Sequence, residues 1–404
     1  MNASVHALNR FLAQAKPSAT YKVMDRVAAR RSAGAQVISL CAGEPDFDTP
    51  GHVREAGIAA IRAGHTRYTQ VAGLRALREA IAAKFQRENG LELDWRGTLV
   101  CSGGKQAIFN ALAATLNEGD EVIMPAPYWV SYPEIVQLCG GKAITVACNA
   151  GNGFKLTPAA LQAAITPRTR WLILNSPSNP TGAVYSRAEL QALAEVLLAH
   201  PHVLVLSDDI YEHLIFDGLA FFTIAQVEPR LRERVLTMNG VSKAYAMTGW
   251  RLGYAGGPKA LIKAMSTLIS QSTSCVSAIS QSAARVALTA DQGCVREAAE
   301  VFHARRDRIE ALLDAVPGIR CPRPQGAFYV YPSVEGLLGK RTADGRELRT
   351  DLDVVMFLLD DAGVAVLDGA AYGLSPYLRL SFATSMENIE EGCRRIREAC
   401  AGLI

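Results

Sequence analysis

The chain has no apolar run approaching the roughly 18 residues that a membrane-crossing helix needs; its apolar stretches, such as Trp171 to Leu174 and Val203 to Leu206, are strand-sized. The N-terminus, MNASVHALNRFLAQAKPSAT, alternates polar and apolar residues and lacks the continuous apolar core of a secretory signal. The expectation is a soluble, cytoplasmic protein. Its nine cysteines, scattered from Cys41 to Cys400, include no CxxC pair. That suits reduced thiols packed as small hydrophobes better than a disulfide framework.

Several nucleotide and hydrolase motifs are also missing. None of the pairs Gly104-Lys105, Gly141-Lys142 and Gly339-Lys340 sits in a GxxxxGK[ST] frame, and no GxGxxG follows a strand. Gly240-Val-Ser-Lys-Ala breaks the nucleophile-elbow pattern at its last position, and neither HExxH nor a His/Cys cluster offers a metal site. Hydrolase, dehydrogenase and zinc-enzyme readings weaken together. Charge of one sign is scarce as well: 42 Lys+Arg against 39 Asp+Glu leave +3, with no long basic run. A dedicated nucleic-acid binder is disfavoured, and acidic small molecules stay open as ligands.

What is present is an ordinary globular composition of 49% hydrophobic residues over 404 positions, enough for two or three domains or one large core with an appendage. From about residue 98 to 255, short β-rich runs alternate with helical patterns, which reads as a largely parallel sheet wrapped by helices. The expected strands are 98–101, 121–124, 142–146, 171–175, 203–207, 235–239 and 252–255. Thr157-Pro158, Ser186 with Glu189, and Thr384 with Glu387 mark helix starts. Ile389, Cys393, Ile396 and Cys400 then share one helical face. Beyond about 290 the texture changes to a smaller α+β unit, with β-rich runs at 327–331, 364–367 and 377–382. The expected division is an N-terminal arm and part of the small domain (1–47), a large domain (48–290) and a small C-terminal domain (291–404). Residues 335–350, EGLLGKRTADGRELRT, read as a surface loop or irregular hairpin. Arg305, Arg306 and Arg308 read as a solvated helix face.

Four segments fall at expected strand ends, where open α/β sheets gather ligand-binding loops. They are CSGGKQAIFN (101–110), NSPSNPTG (175–182), SDDIYEHL (207–214) and NGVSKAYAMTGWRLGY (239–254). With KPSAT (16–20), AGEPDFDTP (42–50) and YLRLSFATS (377–385), they make the chain resemble the fold-type I pyridoxal-phosphate aminotransferases, in the aspartate aminotransferase branch that carries a lysine in GGKQ. The resemblance implies a three-layer α/β large domain with a mostly parallel sheet, a smaller α+β domain, and pyridoxal 5′-phosphate as coenzyme. It implies transfer of the amino group of aspartate or glutamate to 2-oxoglutarate or oxaloacetate in a ping-pong reaction. Prephenate or aromatic transamination on the same scaffold is the alternative reading, and β-elimination a further one.

The resemblance also assigns roles. Lys243 matches the Schiff-base lysine, which afterwards shuttles a proton as a free amine. A carboxylate near the ring nitrogen keeps it protonated; Asp208, three before Tyr211, matches the family's Asp-x-x-Tyr, with neighbouring Asp209 as the competing candidate. Tyr211 and Asn179 hydrogen-bond the ring's phenolic oxygen, and Trp129 stacks on the ring. For the phosphate, the amides of Gly104 and Lys105 open a helix, Arg251 adds a cation, and Tyr68 reaches the neighbouring subunit's coenzyme, implying a homodimer. Arg379 grips the substrate α-carboxylate bidentately, with a backbone contact from Gly43. Lys105, aided by Thr20, takes the second carboxylate. Lys16 matches the lysine associated with prephenate use.

The chain departs from the family pattern at Gln70, Ser282 and Asp368, which leaves the shape of the side-chain pocket open. A non-catalytic coenzyme-binding regulator is the reading from another class. About 40 residues precede AGEPDFDTP, too few and wrongly patterned for the helix-turn-helix such regulators carry.

Overall fold

The computed structural model describes residues 20–404, with side chains from Val23 onward. A short strand, β1 (Ile38–Ser39), precedes the seven expected ones: β2 (Thr98–Cys101), β3 (Glu121–Ala126), β4 (Lys142–Ala147), β5 (Thr169–Asn175), β6 (Leu204–Asp208), β7 (Val235–Gly240) and β8 (Gly253–Gly256). These seven form one sheet in the order β2-β8-β7-β6-β5-β3-β4. The run from β7 through β6, β5 and β3 to β4 is parallel, whereas β8 is antiparallel to both β2 and β7.

Near-continuous apolar strands require cover on both faces. Successive residues of β5 supply it alternately: Leu172 and Leu174 enter one core cluster, Trp171 and Ile173 the other. The first cluster is completed by the helices Gly51–Arg62, Arg75–Asn89, Arg187–Ala199 and Ala278–Thr289. The second is completed by Gly104–Ala113, Ser131–Leu138 and Lys259–Ser272. Three layers result.

Local signals placed two of the three expected helix starts. Thr157 accepts a hydrogen bond from the Ala160 amide, and Ser186 and Glu189 form a reciprocal capping box. At the last helix (Met386–Ala401) the cap is Ser385, not Thr384. Ser385 has extended backbone and its hydroxyl accepts from the Asn388 amide at 3.3 Å, while the Thr384 hydroxyl accepts from the Asn388 side chain. The expected face, Ile389, Cys393, Ile396 and Cys400, is buried.

A third core cluster joins β1, which pairs in parallel with β10 (Val364–Ala365), to a three-stranded sheet. That sheet orders β11 (Leu367–Asp368) next to β12 (Leu378–Ser381), and β12 next to β9 (Tyr329–Val330). Residues 335–350 form an irregular hairpin, with one helical turn (Glu335–Leu337) and a single bridge between Arg341 and Glu347.

The arginine face is corrected. Arg305 is 8% exposed and Arg306 fully buried. Arg305 makes a bidentate pair with Asp46 at 2.7 and 2.9 Å, and Arg306 binds Asp217 and the Pro324 carbonyl. Guanidinium groups enter a core only with partners, and the carboxylates Asp46 and Asp217 lie 259 and 89 residues away in sequence, outside any local window. Arg308 stays solvated. Among the described residues no helix is long and apolar enough to cross a membrane, and all nine cysteines are free.

The carboxyl ends of β5, β6 and β7 open on one side, and the helix Gly104–Ala113 begins beside them. There β8 runs directly under the helix entry. A Cβ on Gly253 would lie 2.5 Å from the Gly104 nitrogen and 2.6 Å from the Gly103 carbonyl carbon. Backbone cannot yield as a side chain can. Gly253→Ala is therefore expected to destabilise the fold by about 1–3 kcal/mol in denaturant unfolding; a variant within about 0.5 kcal/mol of the parent would show that the contact is slack.

Candidate active site

A cavity of about 380 Å³ occupies those strand ends. Lys243 enters it from the turn after β7, and its Nζ donates to the Gly43 carbonyl at 2.5 Å. Burial, reinforced by Arg379, pushes the amine from its ordinary 10.5 down to about 8, against the pull of Glu44 and Asp208.

Asp208 ends β6 on the adjacent strand and is 3% exposed. Its carboxylate accepts from the Tyr132 hydroxyl at 2.5 Å and from the Ile210 amide at 3.4 Å. Burial raises its pKa from 3.8 to about 6, and the Tyr132 bond limits the rise. Asp209 turns the other way. It accepts from Ser207 at 2.6 Å beneath the loop and does not line the cavity. Of the two neighbouring carboxyl groups, only Asp208 faces the space.

The NSPSNPTG segment braces this wall. Asn175 donates its side-chain amide to the Asp208 carbonyl at 2.9 Å and accepts the Asn179 amide at 2.8 Å. The Asn179 side chain in turn accepts from Arg379 at 3.3 Å. Tyr211 is buried, with its hydroxyl 2.8 Å from that of Tyr329 on β9.

Arg379 stands on β12 at 5% exposure. Its guanidinium donates to the Cys41 carbonyl at 2.6 Å and lies 4.5 Å from the centre of the Tyr329 ring. Its Nε is buried with no partner among the described residues. A planar cation held on two sides with a spare donor is built to receive a carboxylate.

The opposite end of the cavity is basic. The Gly104–Ala113 helix presents unpaired amides there, with the positive end of its dipole. Arg251 adopts left-handed backbone, φ 53°, a strain of about 1–3 kcal/mol, and its guanidinium packs on Gly103 so closely that a Cβ there would meet Nη2 at 2.7 Å. Lys105 lies exposed at the rim with Nζ 4.9 Å from the Trp129 ring centre. Although the residue is exposed as a whole, desolvation of its ammonium end, and then Arg251, lower its pKa.

Gly43, Gly104, Lys105, Trp129 and Asn179 thus meet Asp208, Tyr211, Lys243, Arg251 and Arg379 around one space. Tyr68 is not among them: it projects from its own chain at 89% exposure. Thr20 begins the first helix, but its side chain, and Lys16 altogether, lie outside the described residues. Sequence reasoning missed Tyr132, Tyr329, Glu44 and Asn175, all of which line the cavity. Asn175 and Glu44 lay inside segments already singled out, and Tyr132 sat three residues past Trp129. Tyr329 carried no signal beyond an apolar strand.

The chain matches the family described as aminotransferase class I and II over residues 35–396. It is 54% identical over 396 residues to an aspartate/prephenate aminotransferase of Cereibacter sphaeroides, spanning 98% of this chain and 99% of that one. Its structure is similar to the crystal structure of the aspartate aminotransferase from Rhizobium meliloti, with TM-score 0.97, 52% identity, and 98% and 99% of the two chains covered. The aspartate aminotransferase from Thermus thermophilus with maleate is similar at TM-score 0.90 and 43% identity, over 97% and 99% of the chains. With an amine, a carboxylate and paired cations gathered at the sheet's carboxyl edge, and similarity of this extent, the chain belongs to the class I and II aminotransferases, whose coenzyme is pyridoxal 5′-phosphate.

Proposed function

We propose that the chain transfers the amino group of aspartate or glutamate between 2-oxo acids, with prephenate as a further acceptor. The observation that carries this reading is the cavity's polarity: a buried amine and carboxylate in the middle, an anion-binding helix start with Arg251 at one end, and Arg379 at the other.

The donor set fits pyridoxal 5′-phosphate. Lys243 would hold it through the ε-amine, Asp208 at the ring nitrogen, and Tyr211 and Asn179 at the ring hydroxyl. Trp129 would cover the ring face, while Arg251 and the amides of Gly104 and Lys105 would take the phosphate. The Arg251 guanidinium, packed on Gly103 so closely that a Cβ there would meet it, and the buried Asp208 carboxyl, whose pKa burial raises, are the observations that support this fit. When bound, the coenzyme supplies an aldehyde for amine capture and a ring that accepts the electron pair left at the substrate Cα.

The chain's own groups do the rest. Arg379 binds the α-carboxylate through its spare donor, and the carbonyl of Gly43 lies beside Lys243. With a pKa near 8, the Lys243 amine is partly free base near neutral pH, as removal of a proton from the substrate Cα requires. Lys105 at the rim suits a second carboxylate better than an uncharged aromatic tail. The names of the relatives, aspartate/prephenate aminotransferase and an aspartate aminotransferase with the dicarboxylate maleate, support the same substrates. Tyr68, exposed in a single chain, fits a homodimer whose partner coenzyme it reaches. Nine free thiols suit a reducing cytoplasm. Division of the chain near residues 47 and 290 puts Arg379 in the small domain, so that its grip on substrate draws that domain onto the large one and excludes water.

Borohydride reduction of the coenzyme-loaded protein is expected to fix the coenzyme on the peptide containing Lys243; label on another lysine overturns the assignment. Lys105→Ala is expected to raise KM for aspartate about tenfold or more with little change for phenylalanine, and equal losses for both would refute the tail-recognition claim. Stability should also titrate. In the coenzyme-free protein the folded state binds fewer protons than the unfolded chain between pH 8 and 10.5, so the cost of burying Lys243 is full below pH 8 and relieved as pH rises through that window, by about 3 kcal/mol. Buried thiols and phenols, whose pKa burial raises, lower stability over the same window, so the amine is read in the difference between two urea-unfolding profiles: from pH 8 to 10.5 the parent should gain on Lys243→Met, and a difference that does not change with pH would refute a buried, destabilised amine.

A further inference from the structure

Behind the cavity, on the sheet face covered by the helix Arg75–Asn89, lies a buried polar cluster that the roles above do not use. From the end of β6 onward the chain divides its side chains between the two faces of the sheet. Asp208 and Tyr211 turn into the cavity, and Glu212 turns to the far side. Glu212, 7% exposed, receives three donors from two other segments. Asn239 at the end of β7 donates at 2.7 Å, Asn89 at 2.6 Å, and Lys84, which has no exposed surface, through Nζ. Asn239 stands four residues before Lys243, and its own side-chain oxygen accepts the Gly240 amide at 2.7 Å, fixing the start of the turn that carries that lysine.

The remaining members close the cluster. Lys84 Nζ also donates to Asn89 Oδ1 at 2.8 Å and lies 3.4 Å from Glu88, and Glu88 meets His213 Nε2 at 2.9 Å. Glu88, Glu212 and His213 are close enough together to hold a metal ion, but the Lys84 ammonium lies against both carboxylates and supplies the positive charge. Despite its burial, Glu212 is held below its ordinary carboxylate pKa, with Lys84 the chief cause of the lowering.

A buried lysine–carboxylate pair adds little stability over an apolar substitute, because desolvation offsets the attraction. What it provides is position: a carboxylate with three convergent donors has one orientation, and its neighbours in the chain inherit it. The helix Arg75–Asn89 contributes no side chain to the cavity, yet it supplies two of the donors that fix Glu212. We propose that Lys84, Glu212 and Asn239 are positioning residues that lock the loop bearing Asp208 and Tyr211 to the turn bearing Lys243, and so hold the carboxylate, phenol and amine in register across the cavity. The inference rests on the coenzyme-binding reading above and extends it to residues that touch neither coenzyme nor substrate.

The test is titration of the full chain, stripped of coenzyme, with pyridoxal 5′-phosphate, followed by the pH dependence of the bound coenzyme's absorption band. Glu212→Gln keeps the shape and removes the charge. The double variant Lys84→Met with Glu212→Gln removes both charges, and Asn239→Ala removes an uncharged donor, so one of them carries the test should another fail to fold. In variants with native circular dichroism, the coenzyme dissociation constant is expected to rise about tenfold or more and the pH midpoint of the band to move, with kcat falling more than KM for aspartate changes. A merely structural cluster would lower the unfolding midpoint and leave the dissociation constant and the band's midpoint at parental values, which overturns the proposal. Parental protein that binds no coenzyme would overturn the underlying reading as well.

Discussion

The site depends on keeping one amine out of water. Burial and the nearby Arg379 both disfavour the charged form of Lys243, whereas Asp208 and Glu44 favour it, and the balance leaves the amine with a pKa of about 8. Neither effect would survive solvent exposure, where charges at such separations are weakened several-fold. The sheet provides the exclusion. β6 and β7 are parallel neighbours, so their carboxyl ends deliver Asp208 and the Lys243 turn to the same edge. β9 and β12 of the small sheet close the opposite side with Tyr329 and Arg379.

Enclosure on this scale requires that every polar group find a partner, and the partners form chains. Tyr132 serves Asp208, Asn175 serves the Asp208 carbonyl and the Asn179 amide, Asn179 serves Arg379, and Tyr211 pairs with Tyr329. Low dielectric makes such bonds strong and makes an unpaired donor expensive. The Arg379 Nε, buried with no partner among the described residues, stands out against that rule as a donor aimed into the cavity wall. Glu212 shows the complementary case on the far side of the sheet, a buried carboxylate whose bonds are all internal.

Much of this architecture was legible in advance. The seven short apolar strands of the large sheet were readable because a doubly covered strand has a distinctive length and composition, and the last helix because its apolar residues repeat with helical period. Other features were hidden. No pattern distinguishes antiparallel β8 from its parallel neighbours, since a strand buried on both faces looks alike in either direction. The Arg305 and Arg306 face read as solvated because Asp46 and Asp217, which pair with it, are remote in sequence. Tyr329, which reaches Tyr211 across the cavity, sat in an unremarked apolar run.

The sequence alone determined the seven strands of the large sheet, the face of the last helix and the motif segments that carry Lys243, Asp208 and Arg379, because these depend on residues a few positions apart. Only the tertiary structure decided which of Asp208 and Asp209 faces the cavity, how far the Lys243 amine is desolvated, and that Lys84 stands behind Glu212. Orientation, dielectric and partner choice are set by groups that folding brings together from distant parts of the chain, and no local stretch of residues contains them.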